Sequence, residues 1–367
     1  MESAPAYVAT AVSTAGLRRE IHADSVDFVQ GFAQTSAWLA AALPTQHLDP
    51  NPFTGKVWKV NYSNVLRSKH ARSNLSSLLQ EKTYALGFAE ANARQRALML
   101  TLRATGAGVV LTLRPNAGEG TCLPPRSFKR ALKYHSGVPL FPRGTRRTTE
   151  MVCAFCGDMM DVYGDHVSTC RSAGTSTRHN KVRDKNAHQL QRAAFHFDME
   201  PLGLVKDAKR PADVLVKLFS EGKDAWIDHT VTGPFSATLL KGSSEVHNFA
   251  LAAAEMEKNC ERRGALQAAM DLGALYLPFA LTTVGGIGTP GLRVLRAIAS
   301  KTAQSHRVAF SDQMAMLVRE LAVTVHRGNN ALWEEQDLFF NPLPGADRWR
   351  SRRRHKWGKG GAFRSWC

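Results

Sequence analysis

The chain has 367 residues, 44% of them hydrophobic, which is enough apolar material for at least one full core and argues against a disordered protein. Its 48 Lys and Arg residues against 31 Asp and Glu residues give a formal net charge of +17, which favours a polyanionic partner, with nucleic acid the first expectation. No apolar run approaches the ~18 residues of a membrane-spanning helix, so no membrane partner is expected. The N-terminal residues lack the basic and apolar regions of a secretory signal, which predicts an intracellular protein.

The first predicted elements in chain order are helical. Residues 1–97 are predicted to form a helical N-terminal region, and the Leu- and Ala-rich, Pro-free sequence at about 72–104 supports one or two helices. Residues 98–145 are predicted as a helical connector. Within it, a short helix over SFKRALKYHS should begin after two prolines and end at Gly137.

The later elements predict an α+β fold, because helical periods alternate with short apolar strands. The expected order is a helix, two strands separated by a turn, a helix and a buried strand. The segments are RHNKVRDKNAHQLQRAAFHF, PADVLVKLF, DAWIDHTVT, about 244–263 and ALYLPFAL, followed by helices over about 291–327. The predicted regions are 1–97, 98–145, 146–177, 178–290, 291–330 and 331–367.

Three of the six cysteines and one histidine cluster within eighteen residues, CAFCGDMMDVYGDHVSTC. Cys153, Cys156, His166 and Cys170 have the spacing Cys-x2-Cys-x9-His-x3-Cys, which is typical of a closed structural zinc site with four S and N ligands. Two glycines suit the tight turns that such a site requires. The alternative is a chance group of buried thiols. We expect a Zn²⁺ knuckle within residues 146–177.

Two aspartates lie inside apolar strands. Asp213 in PADVLV and Asp228 in AWIDHTVT would each be costly to bury without a compensating partner. If the strands are neighbours, both carboxylates can bind one Mg²⁺, which prefers oxygen ligands and lowers the pKa of a bound water. The alternative is that each acid pairs with a base such as Lys209, Arg210 or His229, and spacing alone leaves both open.

The C-terminal residues form a basic tail with interleaved tryptophans. Its basic residues include the closely spaced Arg352, Arg353, Arg354 and Lys356. Such a segment is expected to be disordered when free and to bind phosphates, or else to serve only as a solubilising tail.

Seven short segments in this order resemble the C-terminal region of site-specific non-LTR retrotransposon proteins, in which a CCHC zinc knuckle precedes a restriction-like endonuclease. The segments are CAFCG, GDHVSTC, RHNKVRD, EPLGLVKDAKRPADVLV, IDHTVTGP, ALAAAEMEKNC and LPFALTTVGGIG. The resemblance covers about residues 98–290 and implies a PD-(D/E)xK core, a small mixed sheet flanked by helices, after a helical region and the knuckle.

The resemblance also implies roles for individual residues. Asp213 and Asp228 match the catalytic acids that hold Mg²⁺, and Glu200 matches an upstream acid. The usual lysine after the second acid is replaced by Thr230, and the family's shifted lysine corresponds to Lys258, with Lys241 as a substitute. Three further residues match the family's nucleic-acid-binding elements, namely Arg178, His179 and Arg210.

Two departures from the family pattern concern these residues. His229 stands beside the second acid where a small apolar residue is more usual. Lys258 lies on the helix side of Leu251 and Ala254, opposite Phe249, Ala253, Met256 and Cys260, so it reaches the site only if the helix is buried on both sides.

The resemblance defines two alternative functions. The sequence has no paired-aspartate polymerase motif, which predicts a detached or domesticated endonuclease half, or a truncated relic. The expected activity is metal-dependent nicking of DNA in the nucleus, with element RNA as a further partner. The alternative is a nucleic-acid-binding protein that keeps the fold and the zinc but has lost cleavage.

Overall fold

The computed structural model describes residues 81, 84–113, 115–116, 120–141, 151–203, 211–261 and 263–340. The predictions for residues 1–80, for Arg210 and for the tail beyond residue 340 lie outside these ranges. Contacts divide the chain into residues 1–92 and residues 93–367. In the first unit, residues 84–90 are helical. Among the described helices, none has both the length and the apolar character that crossing a bilayer requires.

The second unit is built on a four-stranded mixed sheet. Its strands are β1 (Phe197–Met199), β2 (Val214–Ser220), β3 (Lys223–Thr232) and β4 (Leu275–Thr282), and they pair in chain order. The β1–β2 and β2–β3 pairs are antiparallel, whereas β3 and β4 are parallel. The two strands that carry the predicted acids are therefore the central pair of the sheet.

Helices precede, interrupt and follow the sheet. Their bounds are α1 (Ala93–Thr101), α2 (Val109–Thr112), α3 (Pro125–His135), α4 (Asp165–Thr169), α5 (Thr175–Arg192), α6 (Leu240–Glu245), α7 (Phe249–Glu261), α8 (Arg263–Asp271), α9 (Thr289–His306) and α10 (Phe310–Phe340). The expected α+β class, with a small mixed sheet flanked by helices, is confirmed.

Each face of the sheet has its own apolar layer, because successive strand residues point to opposite faces. On one face Ile227 and Phe279 belong to the main core, together with residues of α5, α9 and α10. On the other face Trp226 packs with Ala265 and Ala269 of α8. The alternation places the side chain of Asp228 on the face opposite to that of His229.

Several predicted elements match their sequence signals. The helix over SFKRALKYHS is α3, and the chain leaves it through Gly137 at φ +66°. The turn between β2 and β3 uses Glu221 and Gly222 at φ +52° and +75°, which is the conformation of a two-residue hairpin turn. Local turn chemistry is therefore strong enough to define these boundaries.

The helix predicted over about 244–263 is present as α7, but it begins at Phe249 rather than at about 244, because α6 and α7 are separate helices. Asn248 interrupts these two at φ +60°, a left-handed conformation that asparagine tolerates better than most residues. Phe249 then packs directly over Gly242, where an added Cβ would lie 2.3 Å from the Phe249 ring. This close corner turns the chain so that α7 can cover the sheet.

Candidate functional site

The four predicted zinc ligands converge. The ligand atoms of Cys153, Cys156, His166 and Cys170 all lie within 4.8 Å of one another. The sulfurs of Cys153 and Cys170 are 3.9 Å apart, and Cys156 Sγ lies 3.1 Å from His166 Nε2. Within the ranges that the structure describes, they form the only group of three or more His, Cys, Asp or Glu side chains gathered closely enough to hold an ion. The geometry is compatible with a zinc site.

A tight hairpin positions the first two cysteines. Val152 and Met159 form an antiparallel bridge, and the Cys153 N–H donates to the main-chain oxygen of Asp158 at 2.8 Å. The N–H of Gly157 donates to the Cys153 oxygen at 2.9 Å. Both thiols therefore come from one short turn, as the Cys-x2-Cys spacing predicts.

A short helix positions the other two ligands. The carboxylate of Asp161 accepts hydrogen bonds from the main-chain N–H groups of Tyr163, Asp165 and His166 at 2.7–3.0 Å. These bonds satisfy the free donors at the start of α4. Cys170 caps the end of the same helix, so one helical turn brings it next to His166.

Burial disfavours the ionisation of two of the knuckle thiols. Burial raises the pKa of Cys156 to about 12 and also raises the pKa of Cys170. Without a cation both groups therefore stay neutral at pH 7, whereas zinc binds thiolates and displaces their protons.

The knuckle, residues 151–170, is held against the end of α10 by paired hydrogen bonds. Gln336 accepts from the Ala154 N–H at 2.8 Å and donates to the Val152 oxygen at 3.1 Å. The indole N–H of Trp333, which is fully buried, donates to Ser168 Oγ at 2.9 Å. The knuckle is therefore an integral part of the second unit.

A buried ion pair attaches the same knuckle to α1. Arg94 donates to both carboxylate oxygens of Asp165, at 2.5 and 3.0 Å, and its guanidinium lies 3.8 Å from the centre of the Tyr163 ring. The two charged side chains are only 13% and 8% exposed. Removing either partner would leave an uncompensated buried charge, which is strongly destabilising.

Two glycines of the knuckle give a matched test of this packing. Gly157 and Gly164 both have φ +82°, but an added Cβ at Gly157 meets nothing within 4 Å, whereas at Gly164 it lies 3.0 Å from Trp333 Nε1 and 3.1 Å from Leu140. We expect Gly157→Ala to cost about 1–2 kcal/mol of unfolding free energy from backbone strain alone. Gly164→Ala should cost about 1–3 kcal/mol more, because it overpacks the α10 contact. Urea unfolding measures both, and equal losses would contradict the packing.

Asp213 immediately precedes β2, and three nitrogen atoms lie close to one of its carboxylate oxygens. Its Oδ2 accepts the main-chain N–H of His229 at 2.7 Å and lies 3.3 Å from His179 Nε2. His229 Nδ1 is 3.4 Å from the same oxygen. His179 of α5, which the resemblance assigned to nucleic-acid binding, thus contacts the predicted first acid.

The electrostatics of Asp213 favour its charged form. Burial alone would raise the pKa of Asp213, but the interactions with His179 and His229, which attract the carboxylate when these rings are protonated, outweigh burial and lower the pKa well below its ordinary value. The side chain is 16% exposed. A charged carboxylate with some solvent access can bind a cation.

Asp228 on β3 has a different set of partners. The Nζ of Lys258 on α7 lies 3.3 Å from each of its carboxylate oxygens, and the Tyr276 hydroxyl on β4 donates to Oδ2 at 3.0 Å. The Asp228 side chain is 1% exposed and Lys258 is 17% exposed. The second predicted acid and the predicted lysine are therefore in direct contact.

The orientation of α7 explains how Lys258 reaches this acid. Leu251 and Ala254, on the same side as the lysine, are buried, whereas Met256 and Cys260 on the other side are exposed. The condition that the helix be buried on both sides is therefore wrong, because the lysine lies on the face that packs against the sheet. Lys241, the substitute, is exposed on α6.

Two other predicted residues have defined places. Glu200, which follows β1 at φ +47°, forms an ion pair with Arg183 of α5, and its N–H donates to the Asp213 main-chain oxygen at 2.8 Å. Arg178 is 3% exposed and donates to Asn329 of α10 at 2.7 Å. Burial lowers the pKa of Arg178 to about 10. Arg178 therefore packs between helices in this structure, and its contact with nucleic acid stays a prediction.

Sequence reasoning missed two residues, one that contacts Asp228 and one that contacts His229. Tyr276 binds Asp228 from β4, and Asn186 accepts from His229 Nε2 at 3.1 Å from α5. The polar residue Tyr276 within an otherwise apolar strand was the available signal for the first. Asn186 had no local signal, because it lies within an ordinary helical period.

The positions of Asp213 and Asp228 bear on both alternatives, a shared cation and separate pairs with bases. The two acids begin or lie on adjacent central strands, which leaves the shared ion a prediction, and each contacts a base, as the alternative requires. A comparison with models of known protein families finds no match for this chain, and a comparison with curated proteins finds none either. The functional class therefore rests on the site itself.

Proposed function

We propose that the chain is a metal-dependent DNA endonuclease module of the non-LTR retrotransposon type. The observation that carries the proposal is the contact between Lys258 Nζ and both oxygens of the buried Asp228. The sequence resemblance alone assigns these two residues to one site, although they are thirty positions apart in sequence. The element order, a helix, three strands, helices and a strand, supports a PD-(D/E)xK core.

The proposed mechanism assigns each residue a task. Asp213 and Asp228 would hold a divalent cation, expected from sequence to be Mg²⁺, which when bound supplies an activated water and charge stabilisation at the phosphate. Asp213 suits this task because its carboxylate is charged and partly exposed. As an ammonium, Lys258 would orient the attacking water and stabilise negative charge on the phosphodiester; as a neutral amine it would instead accept the water's proton.

The knuckle would serve as a structural zinc site. Three thiols and one imidazole form a closed ligand set with no open position, so Cys153, Cys156, His166 and Cys170 would hold Zn²⁺ without taking part in hydrolysis. Bound zinc would keep the hairpin and α4 together, and the α10 contacts would hold both against the rest of the unit.

DNA binding would draw on the strong basic character of the chain. The formal net charge of +17 supports a phosphate-rich partner, with element RNA as a second one and the nucleus as the compartment. The tail residues Arg352, Arg353, Arg354 and Lys356 would add affinity with little sequence preference.

A second candidate function has its own observation. Asp213 contacts His179 and Asp228 contacts Lys258, so both acids have cationic or potentially cationic neighbours without any metal. A protein that only binds nucleic acid could keep these pairs for stability.

Two lysine variants test the proposed nicking activity. We expect Lys258→Ala to reduce the Mg²⁺- or Mn²⁺-dependent nicking rate of supercoiled DNA about 10²–10⁴-fold, because it removes the group that acts on the water. Lys241→Ala removes an exposed lysine from α6 and should leave the rate unchanged. Equal rates in the two variants would contradict the role of Lys258, and absence of nicking in the wild type would favour the binding protein.

A further inference from the structure

His229 is completely buried beside the candidate acid Asp213, and one of its ring nitrogens lacks a hydrogen-bond partner. Its exposed fraction is 0%, and its ring stacks on Phe279 with the ring centres 5.0 Å apart. The atom without a partner is Nδ1, whose 3.4 Å contact with Asp213 Oδ2 does not have hydrogen-bond geometry. A buried polar atom of this kind is normally satisfied by a partner such as a bound water or ion.

A chain of side chains determines where the His229 ring carries its proton. Gln189 Nε2 lies 3.0 Å from the Leu317 oxygen and 2.9 Å from Glu320 Oε2, and both atoms only accept, so the orientation of this amide is fixed. Gln189 Oε1 consequently accepts from Asn186 Nδ2 at 3.4 Å. The oxygen of Asn186 is thereby left facing His229 Nε2 at 3.1 Å, so that nitrogen must donate.

The neutral ring therefore presents a lone pair at Nδ1 to the carboxylate of Asp213. Two electron-rich atoms in close contact repel each other, and a second proton on the ring would create an imidazolium in a fully buried position. A divalent cation would be attracted to both atoms. Their 3.4 Å separation fits two ligands that lie about 2.1 Å from one ion.

We propose that the ion at Asp213 is a first-row transition-metal ion, Mn²⁺ or a later one, held by the Asp213 carboxylate and His229 Nδ1 in preference to Mg²⁺. A nitrogen ligand favours the transition metals, whereas Mg²⁺ requires oxygen ligands. The ion's role in nicking rests on the proposed function, but its binding does not.

The test measures Mn²⁺ binding by electron paramagnetic resonance on the full chain with its knuckle loaded with zinc. We expect wild-type protein to bind Mn²⁺ at least about tenfold more tightly than Mg²⁺, as judged by competition. His229→Gln keeps a donor toward Asn186 but removes Nδ1, so its Mn²⁺ affinity should fall at least about tenfold. His229→Asn places an amide near the Nδ1 position, and its oxygen should shift the preference toward Mg²⁺.

A second variant keeps the test decisive if the His229 variants fail to fold. Asp213→Asn retains the shape of the partly exposed side chain and should also lose Mn²⁺ affinity. The inference would be overturned if either His229→Gln or Asp213→Asn bound Mn²⁺ as tightly as wild type does. It would also be overturned if wild type bound Mn²⁺ and Mg²⁺ with equal affinity. Those results, with Mg²⁺-supported nicking intact, would leave the proposed function standing. Conversely, Mn²⁺ binding without any nicking would overturn only the proposed function.

Discussion

Replacing Asp213 or Asp228 by asparagine is expected to lower the nicking rate about 10²–10⁴-fold while DNA binding survives. Asparagine keeps the shape and the hydrogen-bond acceptor but removes the charge that would hold the cation. The measurement is the single-turnover rate on supercoiled DNA, alongside binding of the same DNA. Asp198→Asn is the control, because Asp198 is an exposed acid on β1 and should have no effect.

The stability of these variants separates the two candidate functions. In Asp213→Asn the amide oxygen can still accept the His229 N–H, so we expect the melting temperature to change little. In Asp228→Asn the bond from Tyr276 is kept, and Lys258, at 17% exposure, retains some hydration. The loss should therefore stay below the roughly 3–5 kcal/mol of a broken, fully buried pair. A larger loss, together with a wild-type protein whose stability and nicking do not respond to Mg²⁺, would end the hypothesis of a metal-dependent nuclease.

Removing one zinc ligand is expected to have the second large effect. Cys170→Ser should abolish stoichiometric zinc binding and unfold the knuckle, because the remaining ligands leave the closed site incomplete. Since the knuckle packs on Trp333 and Gln336, the loss should spread to the end of α10. We expect a loss of at least about 3 kcal/mol, which for a unit of this size lowers the melting temperature by about 6–12 °C.

Metal analysis, thermal unfolding and hydrogen exchange of α10 amides together test this expectation. Cys260→Ser is the matched control, because this cysteine is exposed on α7 and should leave all three measurements unchanged. Wild-type protein with less than about half an equivalent of zinc would contradict the closed four-ligand site. Normal α10 protection in Cys170→Ser would show that the knuckle and the helix are energetically independent.

The parts of the molecule that the sequence predicted are those defined by local patterns. The knuckle ligands follow from spacing, and the central strands follow from apolar runs separated by a turn. Strand β1 was not predicted, because three residues, Phe197–Met199, carry no usable periodicity. The packed face of α7 was misread, because Met256 and Cys260 are apolar but exposed.

The surroundings of the two acids depend instead on contacts between residues that are distant in sequence. The bond from Gln189 to Glu320 spans 131 positions, and the bond from Tyr276 to Asp228 spans 48. No local signal in a helix or strand specifies such partners, because they are selected by how the elements pack. The environment of the two acids therefore became visible only with the fold.

The attachment of the knuckle to α10 has a consequence for synthesis of the chain. Ala154 and its partner Gln336 are separated by 182 positions, so a ribosome completes the knuckle long before the helix that receives it. During that interval the nascent hairpin can rely on its own turns and on the Arg94–Asp165 ion pair with α1, which is synthesised before it. Final docking must wait until the entire sheet and the last long helix have emerged, and such late, long-range closure is intrinsically slow.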